Sequence, residues 1–355
     1  MVNQLPNDLS LHIYGRAVFD TEERAEALLE YLLQAREFAP QYFGGLPPLR
    51  RRFVRDNLSE AVSLLVNRAG QEGMFGTKRG EVWMERRKRP KSFFHVEWIR
   101  GPTIPFSTPF YHVDAEYMKN PARLTAWLDF CWPLLGLHDA WFAAICLRRE
   151  WEDHNCLVYK QRELPNWPDG YVMRQGGIGA TLEEGIPGVY WGTYFGPFYV
   201  DWFGREKFET LPCVEKQELP TGGIFFTTAP TPFDWDKPET RAMQRAVMDH
   251  LGADAFFDMQ ALRAKMAEIG EPFPESFDPL KLIPPHRVPE FPFAEEMKMR
   301  EKSREEMIEE TRRYFEHHGF VFEGIEGDVL VFRDEEGGLM RINLAEKRMD
   351  HWPRL

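Results

Sequence analysis

Few residues in this chain have types and spacing that suit chemistry. In the run YHVDAEY, His112, Asp114 and Glu116 fall at alternate positions. On a strand they share one face, an imidazole and two carboxylates. Such groups are legitimate ligands for iron, manganese or zinc. The same alternation arises on any half-buried strand, with Val113 and Ala115 turned inward, and the sequence marks no second imidazole. The expectation is a strand face without a metal. Glu152, Asp153 and His154 form a polar knot beside Trp151 and Cys156. A Cys–His nucleophile pair also needs an oxyanion site, and nothing marks one. Asp234 and Asp236 stand between a strand and a helix, where Asp236 serves as an N-cap. His317 and His318 lie at a helix C-terminus, where the helix dipole favours imidazolium. GxSxG, HExxH and calcium-loop patterns are absent. Catalytic, cofactor and metal roles are therefore assigned to no residue.

These groups hang on a chain of 355 residues that is 43% hydrophobic, enough for a large core with a smaller appendage. Twenty-eight Phe, 11 Trp and 11 Tyr weight that core towards aromatic rings. No apolar run reaches membrane-spanning length, and the first residues lack a secretory pattern. Four cysteines without a CxxC pair suggest buried, reduced thiols, hence a cytoplasmic protein. The net charge of −12 disfavours nucleic acid and suits a basic protein partner. Two basic clusters break the acidic average. Arg50, Arg51, Arg52 and Arg55 form one. Lys78, Arg79, Arg86, Arg87, Lys88, Arg89 and Lys91 form the other, read as a solvated turn between strands Val82–Met84 and Phe93–Trp98.

The positioning elements follow from periodicity. Leu9–Phe19 reads as the opening strand, followed by a helix capped by Asp20 and Glu23. A second helix covers Asp56–Arg68. Thr108–Tyr117 reads as a strand, and Asn120–Pro121 starts a helix that Pro133 ends or kinks. Ala140–Leu147 is a fully buried strand. Gln161–Gly185 reads as loop, with Gly176, Gly177 and Gly179 missing the phosphate-loop spacing. Val189–Phe195 is a strand, then Pro197 opens a short helix that Gly204 closes. Gly222–Thr228 and Pro238–Leu251 give a further strand and helix. Strands cluster rather than alternate with helices, which predicts α+β with antiparallel or mixed sheets. Residues 1–270 form the main domain. Residues 271–292 are a proline-rich linker or surface arm. Residues 293–355 form a small unit of one helix and three strands.

The most informative stretch is Ile186–Gly204, IPGVYWGTYFGPFYVDWFG, whose only charge is Asp201. It resembles a signature of bacterial immunity proteins from type VI secretion and polymorphic-toxin systems. In that family a Pro-Gly-aromatic-Trp strand precedes a phrase like N-F-F-G-P-x-Y-V and a short helix ending in Gly. Pro187, Gly188, Tyr190, Trp191, Phe195, Gly196, Pro197, Tyr199, Val200 and Gly204 fit it. Thr193 stands where Asn is frequent, and Tyr194 where Phe is usual. The resemblance spans residues 9 to about 265. It implies an α+β cytoplasmic protein that binds and neutralises a cognate toxin by stoichiometric occlusion, without catalysis. Two other functions fit the residues alone: an enzyme whose groups converge only in the fold, and a structural assembly protein.

Overall fold

The computed structural model describes residues 8–66, 78–100, 106–161, 171–175, 182, 184–273, 277, 279–291, 304–317, 320–333, 339–343 and 348–352. Strand β1 (Asp8–Gly15) and helix α1 (Glu22–Leu33) open the fold. Then come β2 (Tyr42–Gly44), β3 (Arg51–Arg52), α2 (Leu58–Val66), β4 (Lys78–Arg86) and β5 (Ser92–Arg100). Next are β6 (Phe106–Ser107), β7 (Phe110–Asp114), α3 (Ala115–Met118), α4 (Pro121–Leu137), β8 (Ala140–Leu147) and α5 (Arg148–Asn155). β9 (Leu157–Gln161) pairs with β10 (Tyr171–Gln175). β11 (Gly192–Phe195), α6 (Pro197–Phe203), α7 (Arg205–Glu209), β12 (Glu215–Glu218), β13 (Ile224–Thr227), α8 (Pro238–Leu251) and α9 (Met259–Ile269) follow.

Among the described residues, eleven strands form one sheet in the order β12-β13-β11-β8-β1-β6-β5-β4-β2-β3, with β7 pairing β1 and β5. β8 runs antiparallel to β1 and β11, and β7 antiparallel to β1 and β5. The fold is α+β. Apolar stripes of α1 (Leu28, Leu29, Leu32), α2 (Ala61, Val62, Leu65) and α4 (Trp127, Cys131, Leu134) share one core with Leu9, Leu11, Ile13, Ala143 and Ile145. On the opposite face, Phe142 and Phe195 pack on each other, and Phe195 meets Tyr199, Phe203, Phe208 and Phe226. Covered on both faces, all eight residues of β8 are buried.

A second compact unit holds the chain from Phe291 onward. Its described elements are α10 (Arg304–His317) and a meander of β14 (Val321–Glu326), β15 (Val329–Arg333), β16 (Leu339–Asn343) and β17 (Arg348–Trp352). Phe315, Leu330, Phe332, Met340 and Ile342 make its core. Four strands stand where three were expected. Among the described residues, no helix is long and apolar enough to cross a membrane.

Several local expectations change. Thr21, not Asp20, is the N-cap of α1, and its side chain makes no capping bond. α2 starts two residues later than expected, after a 3₁₀ turn at Arg55–Asn57, and its expected last two residues lie outside the described residues. Asn120 does cap α4, its side chain accepting from Ala122 N and Arg123 N. That helix continues past Pro133 to Leu137. Pro133 and Asp129 both lie on the exposed side of the helix. The region read as loop from Gln161 contains strand β10. Gly176, Gly177 and Gly179 lie outside the described residues.

Candidate functional site

The segment 186–204 lies mid-sheet, where its backbone is held in an unusual way. Only Gly192–Phe195 is strand; the expected start at Val189 comes three residues too early. Residues 187–191 are not strand, and side chains take several of their hydrogen bonds, while Trp191 O accepts from Thr228 N at 2.8 Å. Trp191 N donates to Glu150 Oε1 at 2.7 Å, and Gln244 Nε2 donates to the same oxygen at 2.8 Å. Tyr190 N donates to Thr193 Oγ1, and Thr228 Oγ1 donates to Tyr190 O. Trp191 Nε1 donates to Ala229 O at 2.8 Å. Asn155 Nδ2 donates to the Tyr190 hydroxyl at 2.7 Å. A backbone already satisfied this way has no need of a neighbouring strand.

Every residue of the family-like pattern has a place in this packing. Pro187, Gly188, Tyr190, Trp191, Phe195, Gly196, Tyr199 and Val200 are each buried or sealed under neighbours, while Pro197 is exposed. Gly188 has φ +136°, and a Cβ there would stand 2.7 Å from His154 Nδ1. Gly196 has an ordinary negative φ, so it is close approach that requires glycine: an added Cβ would overlap the Ala140 carbonyl. Pro197 is the first residue of α6, and Gly204 closes that helix at φ +94°.

Helix α5 supplies the polar side of this hub. Asp153 receives Arg241 Nη2 at 2.6 Å and Arg263 Nη1 at 3.1 Å, tying α8 and α9 to α5. Arg263 Nη2 also donates to the Asp153 and Cys156 carbonyls. Arg241 Nη1 lies 3.3 Å from His154 Nε2, so that ring nitrogen accepts. Burial, then Arg241, lowers the His154 pKa to about 4. Glu150 is fully buried, and burial lifts its pKa to about 8 against the opposing pull of Trp191 N, Arg241 and Gln244. The knot at Glu152–His154 is thus a helix and a structural clamp. The concavity beside His154 and Arg241 has about 30 Å³ of room. That admits one or two waters, far less than a substrate needs.

The metal-like triplet does not share a face. The strand ends at Asp114, which caps α3 by accepting from Glu116 N. Glu116 is on the helix, paired with Lys119 at 2.8 Å. His112 instead lies against β1, with Nδ1 3.7 Å from Asp8 Oδ2. His12, stacked on Trp151, stands edge-on to His112 at 5.6 Å. His12 Nε2 bonds Ser10 Oγ, which donates to Cys146 O. Burial raises the Asp8 pKa to about 7 and lowers His112 to about 3. Among the described residues, no three His, Cys, Asp or Glu side chains are grouped to hold a metal.

Asp236 is not a cap either. Lys237 precedes α8 and bonds Asp234 Oδ1 at 2.9 Å, while Thr240 Oγ1 donates to Asp234 O. His317 is the last residue of α10; His318 lies outside the described residues. Cys131, Cys146, Cys156 and Cys213 are free thiols.

A concavity of about 560 Å³ lies between α4 and the β12–β13 edge, lined by Leu124, Leu128, Trp132 and Phe225 together with Glu215 and Lys216. β12 is the outermost strand there, exposed along its length.

No family model and no curated protein matches the chain. A solved structure is similar to it, the Pseudomonas aeruginosa T6SS protein PA0821. It is 11% identical, with a TM-score of 0.46, over 69% of this chain and 72% of that one.

Sequence reasoning missed Glu150, Asn155, Arg241, Gln244 and Arg263. They meet the 187–191 segment or α5 from dozens of positions away. The one local signal was the polar density of RREWEDHN, which lacks a helical apolar stripe and was read as a knot.

Proposed function

We propose that this chain is an immunity-like protein of the cytoplasm that binds a bacterial toxin in equal amounts and blocks it without turnover. The observation that carries this reading is the family-like segment Pro187–Gly204 itself. Its rings are spent on the core and its backbone on Glu150 and Thr228, as suits a segment that defines a scaffold. Recognition then falls to the surface around that scaffold. The acidic net charge of −12 suits a basic cleft on the toxin, and the apolar walls of the α4–β12 groove offer it a contact.

The test is direct. The chain is co-expressed with the product of a toxin gene beside its own. A one-to-one complex by light scattering, together with survival of cells that otherwise die, supports the reading. Soluble, folded protein that gives neither complex nor protection overturns it. Turnover of a small substrate by the purified chain would favour the enzyme reading instead.

A further inference from the structure

Members of the two basic clusters, within residues 50–55 and 87–88, meet at one end of the large sheet. β2 pairs with β3 on one side and β4 on the other, so Tyr42 stands across from both Arg52 and Glu85. The Arg87 guanidinium lies 4.0 Å from the Tyr42 ring centroid and that of Arg52 lies 5.3 Å from it. Arg87 Nη2 is anchored on Leu49 O at 2.7 Å, its guanidinium also pairs with Glu85 through Nε at 2.7 Å while staying 53% exposed, and Arg52 Nη1 reaches the Tyr42 hydroxyl at 3.4 Å. Arg50 and Lys88 extend the patch as exposed cations. Arg51 pairs with Glu60, and Arg55 with Glu30, yet both arginine side chains stay 60% exposed. Ion pairs this open hold little net free energy, so an incoming carboxylate can replace the resident one. Beside them, in the loop from β2 to β3, Leu46 is 74% exposed.

A cluster of planar guanidiniums fits carboxylates in a bidentate way. Tyr42, held between two of them, gives the patch a fixed centre. An exposed leucine adjoining the charges asks for an apolar contact. We propose that this sheet edge docks an acidic, partly apolar segment of a partner protein. Its carboxylates bind Arg50, Arg52 and Arg87 around Tyr42, and an apolar side chain covers Leu46. A nucleic-acid backbone is the poorer fit. Glu30, Glu60 and Glu85 sit among the cations, and the molecule as a whole repels polyanions at −12. The proposal concerns a surface apart from the α4–β12 groove and stands without the toxin reading.

The probe is a short, labelled, extended peptide of alternating Glu and Val residues with one central Leu. Its Gln-for-Glu counterpart and a single-stranded oligonucleotide of equal charge are controls. Anisotropy is read with the full-length chain at low salt. The acidic peptide binds at least about tenfold tighter than either control, the scale of one charge-assisted contact. Arg50→Glu with Arg52→Glu removes that advantage, Leu46→Asp weakens binding severalfold, and Lys281→Glu, on a distant exposed side chain, changes nothing. Arg50→Gln with Lys88→Gln repeats the loss with side chains that carry no ion pair in the fold, and an unchanged thermal midpoint certifies each variant. Equal binding by wild type and the arginine variants overturns the proposal. So does tighter binding of the oligonucleotide, or an equal loss at Lys281.

Discussion

Glu150 shows how one side chain ties pH to stability. Its folded pKa of about 8 lies above the ordinary 4.5. The folded state therefore keeps a proton that the unfolded chain releases. That contribution is complete below pH 4.5 and is lost as pH rises through 8. Asp8, raised from 3.8 to about 7, acts in the same direction. His154, lowered to about 4, acts oppositely: its stability is lost as pH falls from 6.5. Each group changes stability by at most about 1.4 kcal/mol per pH unit within its window. Chemical denaturation should thus show a midpoint that declines between about pH 6.5 and 8 and levels off above. Glu150→Gln keeps an acceptor for Trp191 N and Gln244, so it should flatten that decline. A slope unchanged by the substitution would show that Glu150 does not titrate in this range. Trp191, 2% exposed and bonded to Ala229 O, belongs to the same hub. Trp191→Ala should cost about 3–5 kcal/mol through lost burial and a cavity, measured by the same denaturation curves.

Among elements, the turn from β11 into α6 is the most constrained. Gly196→Ala would drive a methyl into the Ala140 carbonyl, a backbone atom that cannot rotate away. Unlike Gly270, which has open space around its Cβ position, it has no relief. Gly196→Ala should lower the thermal midpoint far more than Gly270→Ala, whose cost comes from φ +84° alone. Elements with strong local patterns were legible in the sequence. Ala140–Leu147 and Pro238–Leu251 appear with the expected bounds. The start of α4 was recognisable because Pro121 suits the first helical position, and Asn120 adds bonds to residues two and three further on. The run 187–191 was not recognisable as non-strand, since its partners Glu150 and Thr228 are remote. α5 was missed for the same reason: its amphipathic contrast is between charges and a few buried polar groups, not between apolar and polar residues. The metal-like triplet failed at Asp114, where a cap signal competed with strand alternation and won.

Across the whole molecule, the described cysteines allow a simple check of packing. Cys131, Cys146 and Cys156 are buried, and Cys213 is only partly covered. A thiol reagent should label Cys213 first in the native protein and reach four thiols after denaturation. Native labelling of all four at one rate would contradict the core. The proline-rich residues Pro279–Glu290 belong to the same compact unit as the sheet. Leu280, Leu282 and Ile283 pack on the core of Leu157, Phe257 and Leu262, and Arg287 stacks 4.3 Å over Trp202 while bonding Asp254. Arg287→Ala should therefore make the backbone of 279–291 a faster protease target without unfolding the sheet.

The placement of β1 has a consequence for how the chain is made. The first strand is not at an edge but is paired with β7 and β8, with Leu9 opposite both Val113 and Leu147. At roughly 5–20 residues per second of synthesis, the strand emerges several seconds to half a minute before its last partner exists. Through that interval Leu9, Leu11 and Ile13 are unpaired on a growing polypeptide. Until Leu147 emerges those side chains are open to other partners, so the wait bears on how much of the chain folds correctly.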